Sequence, residues 1–247
     1  MRVAALYDIH GNLPALEAVL RELEGEGADR VLIGGDVIPG PMARGCMELL
    51  GDLDLPTDFI SGNGEREVLA ILAGGVGPSV PPSVRESIRW SGEQLSPRQR
   101  DLIASWDATV RIEVDGIGEV LFCHATPASD SDIFTRETTV DRLLPVFEPS
   151  GAPLCVCGHT HMQFDRMVGP TRVVNAGSVG MPFGEPGAYW ALLGPGIELR
   201  RTMYDAKHAG ERILHSGYPQ AAEFAESNVL NPPPEDAMLA RLESAAL

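Results

Sequence analysis

The stretch Arg2-Val3-Ala4-Ala5-Leu6-Tyr7-Asp8-Ile9-His10-Gly11-Asn12 sets the architecture. Arg2 to Tyr7, apolar from Val3 on, reads as a first strand. Asp8 interrupts it, and residues 8–12 form the turn that follows. Residues 13–24 then read as a helix: Pro14 suits the first turn, Leu16, Val19, Leu20 and Leu23 recur at helical spacing, and Gly25 and Gly27 end it. A second apolar strand over 30–34 leads into Gly35-Asp36, and a helix is expected over 41–50. A third short strand over 57–61 closes at Gly62-Asn63-Gly64-Glu65, with a helix from residue 67. Strands alternating with helices predict βαβαβ with a largely parallel sheet. Ligands of such sheets bind beyond the carboxyl ends of the strands, where Asp8, His10, Asp36 and Asn63 all fall.

Beyond residue 73 the pattern changes. Residues 74–82 are rich in glycine and proline, 83–95 read as one helix, and Ser96-Pro97-Arg98-Gln99 starts another with a capping box. Residues 74–106 are therefore expected to be a helical insertion beside the site, with a mobile glycine-rich loop that shapes access. From residue 110 the chain becomes mainly β. A hairpin around Asp115-Gly116 delivers His124. A helix over 139–147 precedes the apolar run 154–157, which ends in Gly158-His159-Thr160-His161. The two histidines stand at i and i+2, so in extended chain they project the same way. Alone, that pair reads equally as a surface loop or as metal ligands. Hairpins over 163–174 and 189–204 follow, the first ending at residues 175–180, and two or three helices close the chain. The two β-rich halves predict two sheets packed face to face with helices outside.

Composition narrows the function. The chain has 247 residues, 44% hydrophobic and 22% charged, in the range of a globular protein with an ample core, and is read as a single domain. No apolar run approaches the roughly 18–20 residues of a membrane span, and the N-terminal run is too short for a signal peptide. The cysteines, Cys46, Cys123, Cys155 and Cys157, show no framework spacing, which points to free thiols in a reducing cytoplasm. A formal net charge of −16 argues against a nucleic-acid or anionic-membrane surface. Cations in a site would still let so acidic a protein act on phosphates.

Asp8, His10, Asp36, Asn63, His124, His159 and His161 all lie at predicted strand ends and all offer oxygen or imidazole donors. Singly, each has a plainer reading: an Asp or Asn as a turn or cap residue, His124 as a core histidine. His208 and His215 stand apart, in the C-terminal helical region. Together the seven form a mixed N/O set that suits Mn, Fe or Zn better than Ca or Mg, and exceed what one tetrahedral ion needs. The order Asp8-x-His10, Gly35-Asp36, Gly62-Asn63, His124 and Gly158-His159-x-His161 resembles the calcineurin-like metallophosphoesterase family, in particular its small bacterial phosphodiesterase (YfcE-like) branch, over residues 1–204. The resemblance implies a four-layer αββα sandwich, an α/β fold of two mixed sheets, with a dinuclear site holding two divalent transition-metal ions, Mn first. By that resemblance Asp8, His10 and His161 hold one metal, Asn63, His124 and His159 the other, and Asp36 bridges both. It implies hydrolysis of a small phosphoester by a bridging hydroxide, with Asp36, His124 and Asn63 at the chemistry. A cysteine-histidine zinc site from Cys155, Cys157, His159 and His161 is the weaker alternative.

One motif departs from the family. The usual Gly-Asn-His-Asp/Glu is Gly62-Asn63-Gly64-Glu65, so the histidine available as a general acid is absent. General acid catalysis typically contributes about 10²–10⁴-fold. Its loss favours aryl or phosphate leaving groups, unless His124, Glu65 or water substitutes, and leaves room for a second ester substituent. Phosphodiesters are therefore the expected substrates, with a phosphomonoesterase or a non-catalytic metal or phosphate sensor as alternatives. Gly64 is expected to border the substrate, and Gly64→His to raise monoester turnover. Glu65, left without that partner, is expected to cap the following helix. Asn12 either meets a phosphate oxygen or caps a turn, and residues 175–180 are expected to support the site.

Overall fold

The computed structural model describes residues 1–75 and 80–247. β1 (Val3–Leu6), β2 (Arg30–Ile33) and β3 (Thr57–Phe59) lie side by side and parallel. β4 (Thr109–Val114), β5 (Gly118–Cys123), β6 (Leu154–Cys157), β7 (Phe164–Val168) and β8 (Thr171–Asn175) form a second, mixed sheet in the order β4-β5-β6-β8-β7. β9 (Ala188–Leu193) and β10 (Ile197–Thr202) return to the first sheet, where β9 pairs antiparallel with β1, giving the order β10-β9-β1-β2-β3. The division into two β-rich halves is thus corrected. A strand's own residues carry no label for a partner that lies far away in sequence.

The helices among the described residues are α1 (Leu13–Glu26), α2 (Ala43–Gly51), α3 (Asn63–Leu72), α4 (Arg85–Gln94), α5 (Pro97–Ala104), α6 (Val140–Phe147), α7 (Ala206–Leu214), α8 (Ala221–Phe224) and α9 (Glu235–Glu243). The apolar alternation along β1 explains their placing. Val3, Ala5 and Tyr7 turn inward and meet Phe122, Val156 and Val174 of the second sheet, while Ala4 and Leu6 turn outward under α1 and α2. β1 is buried on both faces, so its run is apolar throughout. On the far side, Leu121, Cys155 and Val173 pack under Leu143 and Phe147 of α6. The result is the α/β sandwich of helix, sheet, sheet and helix. Each fully buried side chain such as Leu32 or Phe122 contributes on the order of 2–3 kcal/mol.

Two expectations shift in the insertion. The helix expected over 83–95 is a 3₁₀ turn, Pro82–Val84, followed by α4. The capping box at Ser96 is present, with Gln99 N–H donating to Ser96 Oγ at 3.2 Å and Ser96 N–H to Gln99 Oε1 at 2.9 Å. Residues 76–79 of the glycine-rich loop lie outside the described residues. No helix among the described residues is long and apolar enough to cross a membrane.

Candidate metal centre

The loops after β1 and β2 continue the pairing of their strands. Asp8 N–H donates to Gly35 O at 3.1 Å and His10 N–H to Asp36 O at 2.8 Å. The loop after β8 closes on the same turn, with Val179 N–H to Tyr7 O and Gly180 N–H to Asp8 O, each at 2.9 Å. Ser178 Oγ adds a bond to Asp8 O at 2.8 Å, and Asn175 Nδ2 holds Gly158 O at 2.6 Å. Residues 175–180 therefore brace the site, as expected. Within the second sheet the loops after β5 and β6 stay paired in the same way: Gly158 N–H, before His159, donates to His124 O at 2.8 Å.

This crowding dictates backbone. Among the described residues, five non-glycine residues have a left-handed conformation: Asp8 (φ 53°), His10 (46°), Asp36 (51°), His159 (66°) and His161 (58°). Each is an expected ligand. A side chain in that region costs about 1–2 kcal/mol and persists where the surroundings over-determine it, a pattern that clusters at functional sites.

The side chains converge. Donor atoms of Asp8, His10 and His161 lie within 4.8 Å of one another, as do those of Asp8, Asp36 and His124. Asp36 faces both groups, with Oδ2 at 3.7 Å from His10 Nε2 and Oδ1 at 3.6 Å from His124 Nε2. Asp8 is shared as well: its Oδ1 lies 3.3 Å from His161 Nε2 and 3.9 Å from His124 Nε2. The His159 ring stands edge-on to His124 at 5.2 Å between centroids, and its backbone N–H donates to Asp8 Oδ2 at 2.8 Å. Asn63 is the first residue of α3, which begins four residues earlier than the helix expected from 67.

Three buried atoms in this group have no hydrogen-bond partner among the described residues: Asp8 Oδ1, Asn63 Oδ1 and His124 Nε2. Unpaired buried polar atoms are rare and costly, so a ligand is the natural partner for all three. The other ring nitrogens are already fixed, His124 Nδ1 on Gly34 O at 2.8 Å and His161 Nδ1 on Met181 O at 2.7 Å, leaving each Nε2 aimed at the centre. Oxygen and imidazole donors in this geometry fit divalent transition metals.

Electrostatics agree. Burial works against a charge on Asp8, but His161 above all, with His124 and His10, holds its carboxyl far below the usual range. Burial pushes Asp36 up to about 8; His124 opposes the rise, and Glu65 and Asp8 add to it. Burial lowers His10 to about 3 and His159 to about 4, so both rings are neutral and able to ligate. Burial also works against charge on His124 and His161, but Asp36 and Asp8 outweigh it at the first and Asp8 at the second, and both are raised. Three carboxylates share this interior, and the ion pairs of Asp8 and Asp36 among the described residues are all to histidines. Cations would relieve their repulsion.

Glu65 does more than cap α3. It is fully buried, and its oxygens accept from the backbone N–H of Gly62 (2.8 Å), Asp36 (2.9 Å) and Ile38 (3.2 Å). One carboxylate thus clamps the Asp36 loop to the start of α3. Burial raises it, against those three hydrogen bonds. Ser91 of α4, unnoticed in the sequence, braces the same loop: its Oγ donates to Gly40 O at 2.8 Å and accepts from Gly40 N–H at 3.0 Å. A buried serine on an amphipathic helix carries no local signal of such a role.

The structure decides between the two readings of Asn12 and overturns the repair expected of Gly64→His. Asn12 is fully buried; its Oδ1 accepts from Ala15 N–H at 3.3 Å and its Nδ2 donates to Gly180 O at 3.0 Å. It caps α1 and ties two loops together, with no donor directed to a phosphate. At Gly64 a Cβ would lie 2.2 Å from Ile38 O and 2.8 Å from Asp36 Oδ1, while the Gly64 N–H donates to Asp36 Oδ1 at 2.6 Å. The expectation that Gly64→His repairs an acid fails for lack of space: here the backbone itself supports Asp36. Gly64 does border the cleft beside the centre. The zinc alternative also fails, because Cys155 and Cys157 pack into the core beneath α6.

A family model described as calcineurin-like phosphoesterase superfamily domain matches residues 1–194. An uncharacterized protein of Methanocaldococcus jannaschii is 24% identical over 88% of this chain and 94% of its own length. A hypothetical protein of Pyrococcus horikoshii shares the fold with a TM-score of 0.79, at 21% identity over 94% of this chain and 99% of that one. A metallophosphoesterase of Sphaerobacter thermophilus gives a TM-score of 0.73, at 24% identity over 93% and 99%. The chain belongs to the calcineurin-like phosphoesterase superfamily.

Proposed function

We propose that this member of the calcineurin-like phosphoesterases hydrolyses phosphodiesters or activated phosphate esters with two divalent metal ions, Mn before Fe or Zn. The observation that carries the reading is that three buried ligating atoms around one centre, Asp8 Oδ1, Asn63 Oδ1 and His124 Nε2, have no hydrogen-bond partner among the described residues. Asp8, His10 and His161 would hold one ion, Asn63, His124 and His159 the other, with Asp36 between them. Bound there, such ions supply Lewis acidity toward phosphoryl oxygens and a hydroxide nucleophile at neutral pH. The chain's own residues set the geometry: Asp36 faces both groups, Glu65 holds its backbone N–H, and the amide of Gly64 holds its carboxylate.

The leaving group supports the diester preference. Glu65 has its oxygens engaged by three backbone N–H groups, and His124 has one ring nitrogen on Gly34 O and the other aimed at the centre. Neither is placed to donate a proton to a leaving oxygen, so aryl oxide or phosphate leaving groups suit the site better than alkoxides. The substrate is a small phosphoester. The buried free thiols support work in the reducing cytoplasm.

The test is metal analysis of the purified protein together with turnover of chromogenic esters in added Mn. A bis-aryl diester is expected to be cleaved faster than the matching monoester, with Asp36→Asn about 10³-fold slower. Two bound metals without turnover on a broad phosphoester panel would instead make the protein a metal- or phosphate-binding sensor.

A further inference from the structure

A cleft of about 380 Å³ opens beside His10, Asp36 and Asn63, the last with its Oδ1 free of hydrogen bonds among the described residues. Its far wall comes from segments that supply no expected ligand: Ile88 of α4, and Tyr218, Glu223, Phe224 and Asn228 near the C-terminus. Those C-terminal residues lie beyond the part of the chain that the family model matches.

The wall is ordered by its own contacts. Tyr218 stands edge-on to Trp90 of α4 at 5.6 Å between centroids and to Phe224 at 6.1 Å. Ser87 Oγ of α4 donates to Gln220 Oε1 at 2.5 Å, and Gln220 Nε2 donates to Glu223 Oε2 at 3.0 Å. This chain of bonds joins the insertion to the C-terminal segment and holds the Glu223 carboxylate in place. After α8 the helix widens into a π-helical turn, Ala225–Leu230, which brings Asn228 to the cleft. Such turns recur at functional sites.

The charge of the wall is one-sided. Glu223 lines that wall, and among the described residues no lysine or arginine lines the cleft. The other cleft at the centre, beside His124, differs: Arg66 lines it, ion-paired to Asp130 at 2.7 Å. We propose that the cleft between α4 and the C-terminal segment receives the second substituent of a phosphodiester and selects one that bears an ammonium group. The inference rests on the phosphoesterase reading above. Tyr218 and Phe224 beside the Glu223 carboxylate favour an ammonium on that wall, whereas a carboxylate there meets the like charge of Glu223.

The test uses p-nitrophenyl phosphodiesters that share a leaving group and differ in the second ester: choline, its uncharged tert-butyl isostere, and an alkyl chain ending in a carboxylate. With Mn-loaded protein, kcat/KM is expected to fall in that order, with about tenfold between choline and carboxylate esters. Glu223→Gln should shrink that ratio about threefold. Choline titrated calorimetrically into metal-free protein gives a readout without turnover, and binding should weaken in Glu223→Gln. Equal kcat/KM for the three esters, or a ratio indifferent to Glu223→Gln, overturns the substituent selection and leaves the phosphoesterase reading standing. Hydrolysis of none of them overturns the phosphoesterase reading; choline that fails to bind, or binds regardless of Glu223, overturns the selection independently.

Discussion

The loops after β1, β2 and β6 supply the centre by one means, and those after β3 and β5 by another. The first group carries Asp8, His10, Asp36, His159 and His161, all in left-handed backbone. The second carries Asn63 as the first residue of a helix and His124 just past a strand, neither with a positive φ. Where a regular element ends at the centre, its last or first side chain serves directly. Where loops from two strands must stay hydrogen-bonded while turning, the candidate ligand itself sits in the strained position. A glycine would relax it but could not ligate.

The largest effect expected is at the seam between the groups. Gly64→His forces a Cβ to within 2.2 Å of Ile38 O, so it should destabilise the protein by about 3 kcal/mol in denaturant unfolding and lower turnover of every ester. A variant that folds normally and gains monoester activity would break the account of Gly64. Glu65→Gln is next. It exchanges one acceptor of the clamp for an amide that faces N–H donors, and should cost about 1–2 kcal/mol and about tenfold in metal affinity. Unchanged Mn affinity by calorimetry would detach the clamp from the centre.

A pH series sharpens the comparison further. Burial raises Asp36 from 3.8 to about 8, and the carboxylates raise His124 and His161 above 6.5 despite burial. All three keep protons in the folded metal-free chain at a pH where the unfolded chain releases them. Their contribution to stability is therefore lost as pH rises, through about 8 for Asp36. Metal-free protein should melt at a lower temperature near pH 8.5 than near pH 6.5, and Mn should reverse the order. The lowered His10 and His159 act below 6.5, outside that window. Equal melting of the metal-free protein at both pH values would count against the buried proton on Asp36.

The smallest effect separates the two kinds of loop directly. In metal-free protein, His159→Gly should be more stable than His159→Ala by about 1 kcal/mol, because only glycine is at ease at φ 66°. At His124 the order should reverse, with glycine less stable than alanine by about 0.5–1 kcal/mol. The same order at both positions would remove the distinction.

The strand ends and the kinds of donor they carry were legible because both signals are local. Period-2 and unbroken apolar runs mark strands, and the polar residues after them mark the ligand edge. The capping box at Ser96 was legible for the same reason. The return of β9 to the first sheet was not, because pairing with β1 joins residues far apart in the chain. Nor were the roles of Asn12 and Gly64. An asparagine after a turn looks the same whether its amide is buried or free, and a glycine does not announce that a carbonyl lies where its Cβ would be.

By itself, then, the sequence determined the layered α/β plan, the candidate ligand residues and their order, because backbone preference and side-chain periodicity act over a few neighbouring residues. Tertiary structure alone decided that Asp8 is shared between the two groups, that Glu65 clamps two loops, that Gly64 has no room for a histidine, and that the C-terminal segment walls the cleft. Those are distances between residues remote in sequence, and only the register and packing of the two sheets set them.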